Sequence, residues 1–386
     1  MKKALAVFVI LVVFSAVGWL VWITVINQKI SVVEKQNNNP VIRQTVPSFI
    51  DSQLSSMNLK QKIASLMILH KPGTNTNDLK EYLATNQPGG LIFMSDNIPD
   101  DVSQLKSLTD ELQTNDFLPY LFAIDQEGGV VERLSGDIYP SAMELKDQPV
   151  TATIDAFNKR SKLVSDTGMN LNFGIVADVT SDVASFIYSR VFGGDPAAVG
   201  DRIAAAVLSS KGLTLSTLKH FPGHGEAEAD SHISIPTTNI SFEEWQKRDK
   251  QPFVSGVDSG ADVVMFGHLR YSSVDDKPAS LSSKWHDILA KDLNFKGITV
   301  TDDMTMLHDS GEAKYNNPTN NAINAIIAGN TMLLYVLGND NSVNGVKIDE
   351  IINGIASAVE SGKIGRDLID INVRKVLEVR HSLADI

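Results

Sequence analysis

Cysteine is absent from the 386 residues of the chain. That excludes disulfides, thiolate zinc sites, iron–sulfur clusters, cysteine nucleophiles and a lipid-modified N-terminal cysteine, while remaining compatible with export. Positive charge is also short: 34 Lys and Arg against 46 Asp and Glu leave a net charge of −12. An acidic chain with no basic stripe interleaved with aromatics is a poor match for phosphate backbones, so no nucleic-acid partner is expected. There is no internal repeat in the roughly 20–50-residue range of solenoids and propellers, and no low-complexity tract. What is present is ordinary: 43% hydrophobic and 21% charged residues supply a core and a solvated surface. That balance excludes a wholly disordered chain, a collagen-like one or a polytopic membrane protein.

The N-terminus departs from this globular character. Lys2 and Lys3 precede an uncharged apolar run from Ala4 to Ile26. As a helix it would reach roughly 35 Å, enough to cross a bilayer. Trp19 and Trp22 lie toward its far end, where amphipathic rings favour the interface. A cleaved signal peptide is the competing reading, with Phe14-Ser15-Ala16 as a weak cleavage site, but the run continues well past it. The expectation is therefore a transmembrane anchor over residues 1–26, with the body outside the cytoplasm despite Lys29 and Lys35 beyond the span. Residues 27–46, containing Asn37-Asn38-Asn39-Pro40, read as a polar linker, and residues 47–386 as the folded body.

In the body, eight short apolar runs alternate with stretches of helical periodicity. The runs are Ser65–Leu69, Gly90–Met94, Tyr120–Ile124, Asn170–Phe173, Leu215–Lys219, Asp262–Phe266, Gly297–Thr301 and Thr331–Val336. Helical stretches include Asp101–Leu112, Ile154–Ser165, Ala197–Ser210 and Lys284–Leu293, and a helix over Leu368–Leu383 closes the chain. Eight strand–helix units in about 340 residues predict an α/β fold, a single (β/α)₈ TIM-type barrel. Asp125, Lys219, His220, His268 and Asp302 each end or directly follow a run, which puts all five on the C-terminal rim where barrel enzymes build their sites. Any one of them alone could equally be a solvated loop residue or a cap.

Three constellations carry chemistry. The densest is Lys219-His220-Phe221-Pro222-Gly223-His224-Gly225, followed by Asp230-Ser231-His232. Its histidines and carboxylate are suitable zinc ligands. Yet Pro222 and Gly223 break any helix that would align His220 with His224, and Lys219 would repel a cation. The favoured alternative is hydroxyl or anion recognition by Lys219 and His220, with Asp230 and His232 as an acid/base pair; no metal or other cofactor is expected. The second is Gly297–Met304, an apolar strand ending in Asp302-Asp303. Asp302, directly off the strand, suits a covalent nucleophile, while Asp303 reads as a helix N-cap. The third is Asp125-Gln126-Glu127-Gly128-Gly129 with Arg133. Its glycines admit close backbone approach, and Asp125 and Arg133 can bind sugar hydroxyls or an amide.

Taken together these segments resemble the glycoside hydrolase family 3 β-N-acetylhexosaminidases, in their single-domain, peptidoglycan-recycling branch. The resemblance runs from about Leu59 to the C-terminus. It also includes Gly89-Gly90-Leu91-Ile92, Asn172-Phe173 with Asp178, Ser189–Gly193 with Asp195-Pro196, Met265 with His268, Pro278-Ala279-Ser280, and Ala328-Gly329-Asn330. It implies a retaining, exo-acting enzyme that releases terminal N-acetylglucosamine from a glycan. Asp302 would be the nucleophile and His232, paired with Asp230, the general acid/base in place of the usual second carboxylate. Asp125, Arg133, Arg190, Lys219 and His220 would bind the terminal sugar, and His268 would line the same pocket. The chain departs from the family at Val130, where an arginine usually follows the glycine pair, at Glu226-Ala227, and at Thr331. These departures bear on loop anchoring and substrate preference. Rival readings are a β-glucosidase, whose acid/base group usually comes from an added domain for which the chain leaves no room, and a non-catalytic glycan-binding wall protein. Intact Asp230, His232 and Asp302 argue against the second.

Overall fold

The computed structural model describes residues 46–99, 101–113, 118–225 and 234–384. The fold described here lies within the unit Ile50–Ile386. The Ala4–Ile26 run lies outside the described residues, among which no helix is long and apolar enough to cross a membrane.

All eight anticipated strands form. They are β1 (Met67–Leu69), β2 (Gly90–Phe93), β3 (Leu121–Ile124), β4 (Leu171–Val176), β5 (Leu215–Phe221), β6 (Val263–Phe266), β7 (Ile298–Asp303) and β8 (Met332–Tyr335). Each pairs in parallel with its chain neighbours, and β1 pairs with β8, so the sheet closes on itself. Closure removes every sheet edge, and helices around the outside bury the other face. The strands read as apolar runs because both faces are covered: β2, β3, β4, β6 and β8 are buried at every position. β4, β5 and β7 run two or three residues past the anticipated ends, through polar or small residues such as Gly174, His220 and Asp302. Those extensions are the part of each strand that reaches the site.

Helix starts follow from local chemistry. Asp195 accepts the Ala197 and Ala198 amides at the head of Pro196–Ser210, with Pro196 in the first turn, where no amide partner is needed. Asn317 and Pro318 do the same for Pro318–Ala328, which Gly329 ends at φ 125°. Ser282 caps Ser283–Lys291 by accepting the Trp285 amide.

The largest aromatic cluster sits between β5, β6 and the helices behind them. Phe221 is its centre, with its ring 5.0 Å from Phe266, 5.1 Å from Phe253, 5.9 Å from Trp285 and 6.2 Å from Trp245, all edge-on. Such contacts add about 0.5–1.5 kcal/mol each beyond area burial. Phe221 is thus the fully buried anchor of a segment whose flanking residues, Lys219, His220 and His224, face the cavity. Thr331 opens the approach to β8, where its amide donates to the Thr299 hydroxyl at 2.9 Å. It is buried at the opposite end from the site, so this departure does not touch the cavity.

Candidate active site

The β3 loop that carries Asp125, Glu127 and Arg133 is organised by Gln126. This residue is fully buried, and its side-chain oxygen accepts the Arg133 and Leu134 amides, both at 2.9 Å. Its side-chain nitrogen donates to Asp137 at 2.7 Å. Asp137 also holds the guanidinium of buried Arg160 at 2.6 Å, and Arg160 donates on to the Tyr139 and Pro140 carbonyls. Gly128 must be glycine: at φ 84°, a Cβ would stand 2.1 Å from Arg160 Nη2. Val130 is 68% exposed at the loop's outer turn. The loop's anchoring therefore runs through Gln126, Asp137 and Arg160, the last two of which lie outside the motifs read from the sequence.

The β5 segment is pinned from behind. Trp245 Nε1 donates to the Pro222 carbonyl at 2.9 Å and the Tyr271 hydroxyl to that of Gly223 at 2.6 Å. The Lys219–His220 and Phe221–Pro222 peptide bonds are cis. Asp178, off the end of β4, is completely buried; it faces His220 Nδ1 at 2.8 Å and accepts the His224 amide at 2.6 Å. It orients the His220 ring and fixes the His224 backbone.

A charge network joins these pieces. Lys219 Nζ lies 2.8 Å from Asp125 and 2.6 Å from Glu127. Arg190 engages the same Glu127 carboxylate with two nitrogens, at 2.9 and 2.7 Å, and its Nη2 lies 3.3 Å from His220 Nε2. Burial alone would raise the Glu127 carboxyl, but Lys219 and Arg190 overwhelm it and hold the group at about 2. Burial alone would lower the Lys219 ammonium, but Asp125 and Glu127 raise it on balance. Both remain ionised through the ordinary pH range.

Asp302 and Asp303 differ although adjacent. For Asp302, burial pushes upward, yet the facing His220 and His268 rings, the Asp303 amide at 2.8 Å and Lys219 bring its carboxyl below the usual range. That is the state a nucleophile needs. Burial dominates at Asp303 and raises it to about 6. Its carboxylate accepts the Thr305 and Val336 amides, each at 3.0 Å, tying β7 to β8. Asp303 thus makes the bond expected of an N-cap by accepting the Thr305 amide, although helix Thr305–Asp309 places Met304 in the position before it, and the same carboxylate also straps β7 to β8. The expectation for His268 is corrected. It lies behind the acidic pair, with Nδ1 2.7 Å from the Ser280 hydroxyl and Nε2 2.9 Å from the Asp303 carbonyl, and it does not line the cavity.

Asp125, Arg133, Arg190, Lys219, His220 and Asp302 do converge, together with Glu127, His224 and Asp303, around a cavity of about 250 Å³. Its apolar wall comes from Ile92, Met94, Met265, Met306 and Leu334 among others. Asp230 and His232, like Glu226 and Ala227, lie outside the described residues. Glu127 and Asp178 are the functional residues that motif reading left aside. Their positions in the Asp-Gln-Glu-Gly-Gly stretch and after β4 were visible, but nothing local distinguishes a buried salt-bridge acid from a loop acid. Among the described residues, no group of three or more His, Cys, Asp or Glu could hold a metal ion.

Residues 58–379 match the model of the glycosyl hydrolase family 3 N-terminal domain. The chain is 34% identical over 268 residues to a β-hexosaminidase of Psychromonas ingrahamii, an alignment covering 66% of this chain and 77% of that protein. It is likewise 34% identical over 244 residues to a β-hexosaminidase of Neisseria gonorrhoeae, covering 60% and 67%. Among solved structures, a glycoside hydrolase family 3 β-N-acetylglucosaminidase from Paenibacillus superposes with a TM-score of 0.78 at 27% identity. That match covers 85% of this chain but 64% of the longer Paenibacillus chain. M. tuberculosis LpqI superposes with a TM-score of 0.75 at 25% identity, covering 85% of this chain and 95% of that one.

Proposed function

Because the chain belongs to glycoside hydrolase family 3, we propose that it is an exo-acting, retaining β-N-acetylhexosaminidase releasing terminal N-acetylglucosamine from cell-wall fragments or other β-glycosides. The observation that carries this reading is the Asp302 carboxylate, held ionised at the end of β7 and facing a cavity whose charged groups come from β3, β5 and the β4 loop. A volume of about 250 Å³ is small for a ligand site and suits one sugar ring rather than an internal stretch of polymer. The names of the similar proteins support the amino-sugar specificity.

In this reading Asp125, Arg133, Arg190, Lys219 and His220 bind the hydroxyls of the terminal sugar. Asp302 attacks the anomeric carbon with the carboxylate oxygen that does not accept the Asp303 amide. The glycosidic bond breaks as His232 protonates the departing oxygen, leaving a glycosyl-enzyme ester. His232 then takes a proton from water, whose oxygen attacks the same carbon and frees Asp302. Asp230 holds the His232 ring, and His268 braces the acidic pair from behind. The Ala4–Ile26 run tethers the body, residues 47–386, to the outer face of a membrane through the polar linker of residues 27–46; recovery of a soluble product beginning near residue 17 would reject that tether.

The central test is turnover of a chromogenic β-N-acetylglucosaminide beside the corresponding β-glucoside, with the acetamido sugar expected to be the better substrate. The acid/base assignment has its own test. His232→Ala should cut hydrolysis of a sugar aglycone by roughly 10²–10⁴-fold. A nitrophenyl leaving group needs little protonation and should suffer less, and added azide should restore turnover by forming a β-glycosyl azide. Equal impairment on both leaving groups with no azide effect would remove His232 from the mechanism.

A further inference from the structure

Seven of the eight strands, or the loops that follow them, supply residues to the rim cavity; among the described residues β1 supplies none. At its end stands His70, 5% exposed, whose ring bridges the strands on either side. Nδ1 lies 2.6 Å from the Leu337 carbonyl, just past β8, and Nε2 lies 3.0 Å from an Asp96 carboxylate oxygen in the loop after β2. Each of those segments places a side chain in the apolar wall of the cavity: Val336 beside Leu337, and Met94 two residues before Asp96. The β2 loop is also latched without charge. The Asn97 side-chain nitrogen donates to the Lys71 and Gly73 carbonyls at 2.8 and 2.7 Å, and its oxygen accepts the Met94 amide at 3.0 Å.

Both partners of the ring are acceptors. A carbonyl oxygen offers no proton, so Nδ1 must donate to Leu337, and a neutral ring then turns its bare Nε2 lone pair on the Asp96 carboxylate. The two contacts hold together only when a second proton lies between Nε2 and Asp96, as in an imidazolium–carboxylate pair. Imidazole side chains change charge between about pH 5 and pH 8. When that proton leaves, the Asp96 side opens, because its carboxylate is 46% exposed and can turn to water while the buried ring keeps its bond to Leu337. Tyr335, whose carbonyl accepts the His70 amide at 2.9 Å, has its phenol held far above this window by burial. Lys71 follows His70 in the chain, Asp340 in the β8 loop is bound to Ser342, and Asp303 reaches the wall through the Val336 amide. Asp303 is left in place by changes at Asp96, so such changes isolate the ring's contribution.

We propose that His70 is a positioning residue: protonated, it clamps the β2 and β8 segments of the cavity wall together across β1, and loss of the proton releases the β2 side. This rests on the hydrolase reading above and extends it. The wall touches the sugar and not the breaking bond, so its slackening is read in KM rather than kcat. The test compares wild type, Asp96→Ala and Asp96→Asn at about pH 5.5 and about pH 8, by KM and kcat on the chromogenic β-N-acetylglucosaminide and by thermal unfolding. Asp96→Ala lacks the contact at either pH. Its KM exceeds that of wild type by up to about fivefold at the acid value, the worth of a partly exposed ion pair, and matches it at the alkaline value, with kcat unchanged. In Asp96→Asn the side-chain amide accepts from the protonated ring and donates to the neutral one, so the clamp holds at both values and KM falls below wild type at the alkaline one. Unfolding temperatures follow the same order, with the deficit of Asp96→Ala present at the acid value and absent at the alkaline one. An Asp96→Ala effect on KM that is equal at both values, no effect at either, or a loss in kcat with KM unchanged overturns the proposal. If wild type hydrolyses no glycoside, the hydrolase reading fails by itself. The unfolding temperatures then decide the clamp, which a pH-independent deficit, or none, removes.

Discussion

The two ends of the barrel use charge in opposite ways. At the base, Arg380 donates to the Leu118 and Pro119 carbonyls, both at 2.8 Å, and Lys62 pairs with Asp370 at 2.7 Å across a half-exposed boundary. These contacts tie the Arg366–Leu383 helix to the segments leading into the barrel strands. The base also holds a cavity of about 360 Å³, larger than the one at the rim, yet no carboxylate is among the described residues that line it. At the rim the smaller cavity gathers acids and bases from four separate strands, several with ionisation displaced by their neighbours. Cavity size is therefore a poor guide to where chemistry happens; convergence of opposed charges is the better one.

The sharpest way to break this contrast is to remove one group from each end. Asp302→Ala should take glycoside hydrolysis to background while the protein still unfolds cooperatively, because the nucleophile proposed for it would serve both steps. Lys80→Ala, at the mouth of the base cavity, should leave kcat/KM unchanged. Activity surviving Asp302→Ala would move the site elsewhere.

Next in size is Glu127→Gln. Lys219 and Arg190 would then face one another with a single counter-charge short, inside a buried network. Breaking such a pair costs about 3–5 kcal/mol, read as a lowered denaturant midpoint. A loss below about 1 kcal/mol would mean that the network behaves like a surface pair.

A third comparison uses pH. Glu127 is held at about 2 against an ordinary 4.5, so its contribution to stability is complete above 4.5 and is lost as pH falls toward 2. Asp303 is raised to about 6 from 3.8, so over that window the folded state binds more protons than the unfolded one. Its effect has the opposite sign: stability falls as pH rises from 3.8 through 6. Asp303→Asn should therefore flatten the unfolding-temperature profile between roughly pH 4.5 and pH 6 and leave the acid side to Glu127. An unaltered profile would show that Asp303 does not titrate there.

The smallest effect belongs to the base. Asp370 is 35% exposed, and Lys62→Met should change stability by no more than about 1 kcal/mol, with activity untouched.

How legible each end was in the sequence follows from the same physics. The barrel was readable because buried strands are apolar runs, and all eight lay where the pattern put them. Strand ends were less so, since β5 and β7 continue through His220 and Asp302, residues of low β-propensity held by tertiary packing. Within the site, residues that end a strand were readable, because a polar side chain breaking an apolar run marks the rim. Residues whose role depends on a distant partner were not. Gln126 meets Asp137 eleven positions away, Glu127 meets Arg190 sixty-three positions away, and His268 turns from the cavity toward Ser280. No local spacing encodes such meetings. Asp303 was read in part for a related reason: its bond to the Thr305 amide follows from an acid just before a helix, whereas its bond to the distant Val336 amide does not.

The gathering of Lys219, Arg190 and Arg133 with Asp125, Glu127, Asp302 and Asp303 around one cavity has a consequence for how the pocket meets solution. Three basic side chains stand beside four acidic ones, so these groups largely offset one another although the chain as a whole carries −12. An uncharged sugar entering such a pocket has few condensed ions to displace. Its apparent affinity should then be flat across ionic strength, even where the Debye length shrinks from about 30 Å at 0.01 M to about 3 Å at 1 M. A polyanionic aglycone would meet the acidic exterior instead, and added salt should ease its approach. The ionic-strength dependence of KM for neutral and anionic substrates would thus report separately on the pocket and on the surface around it.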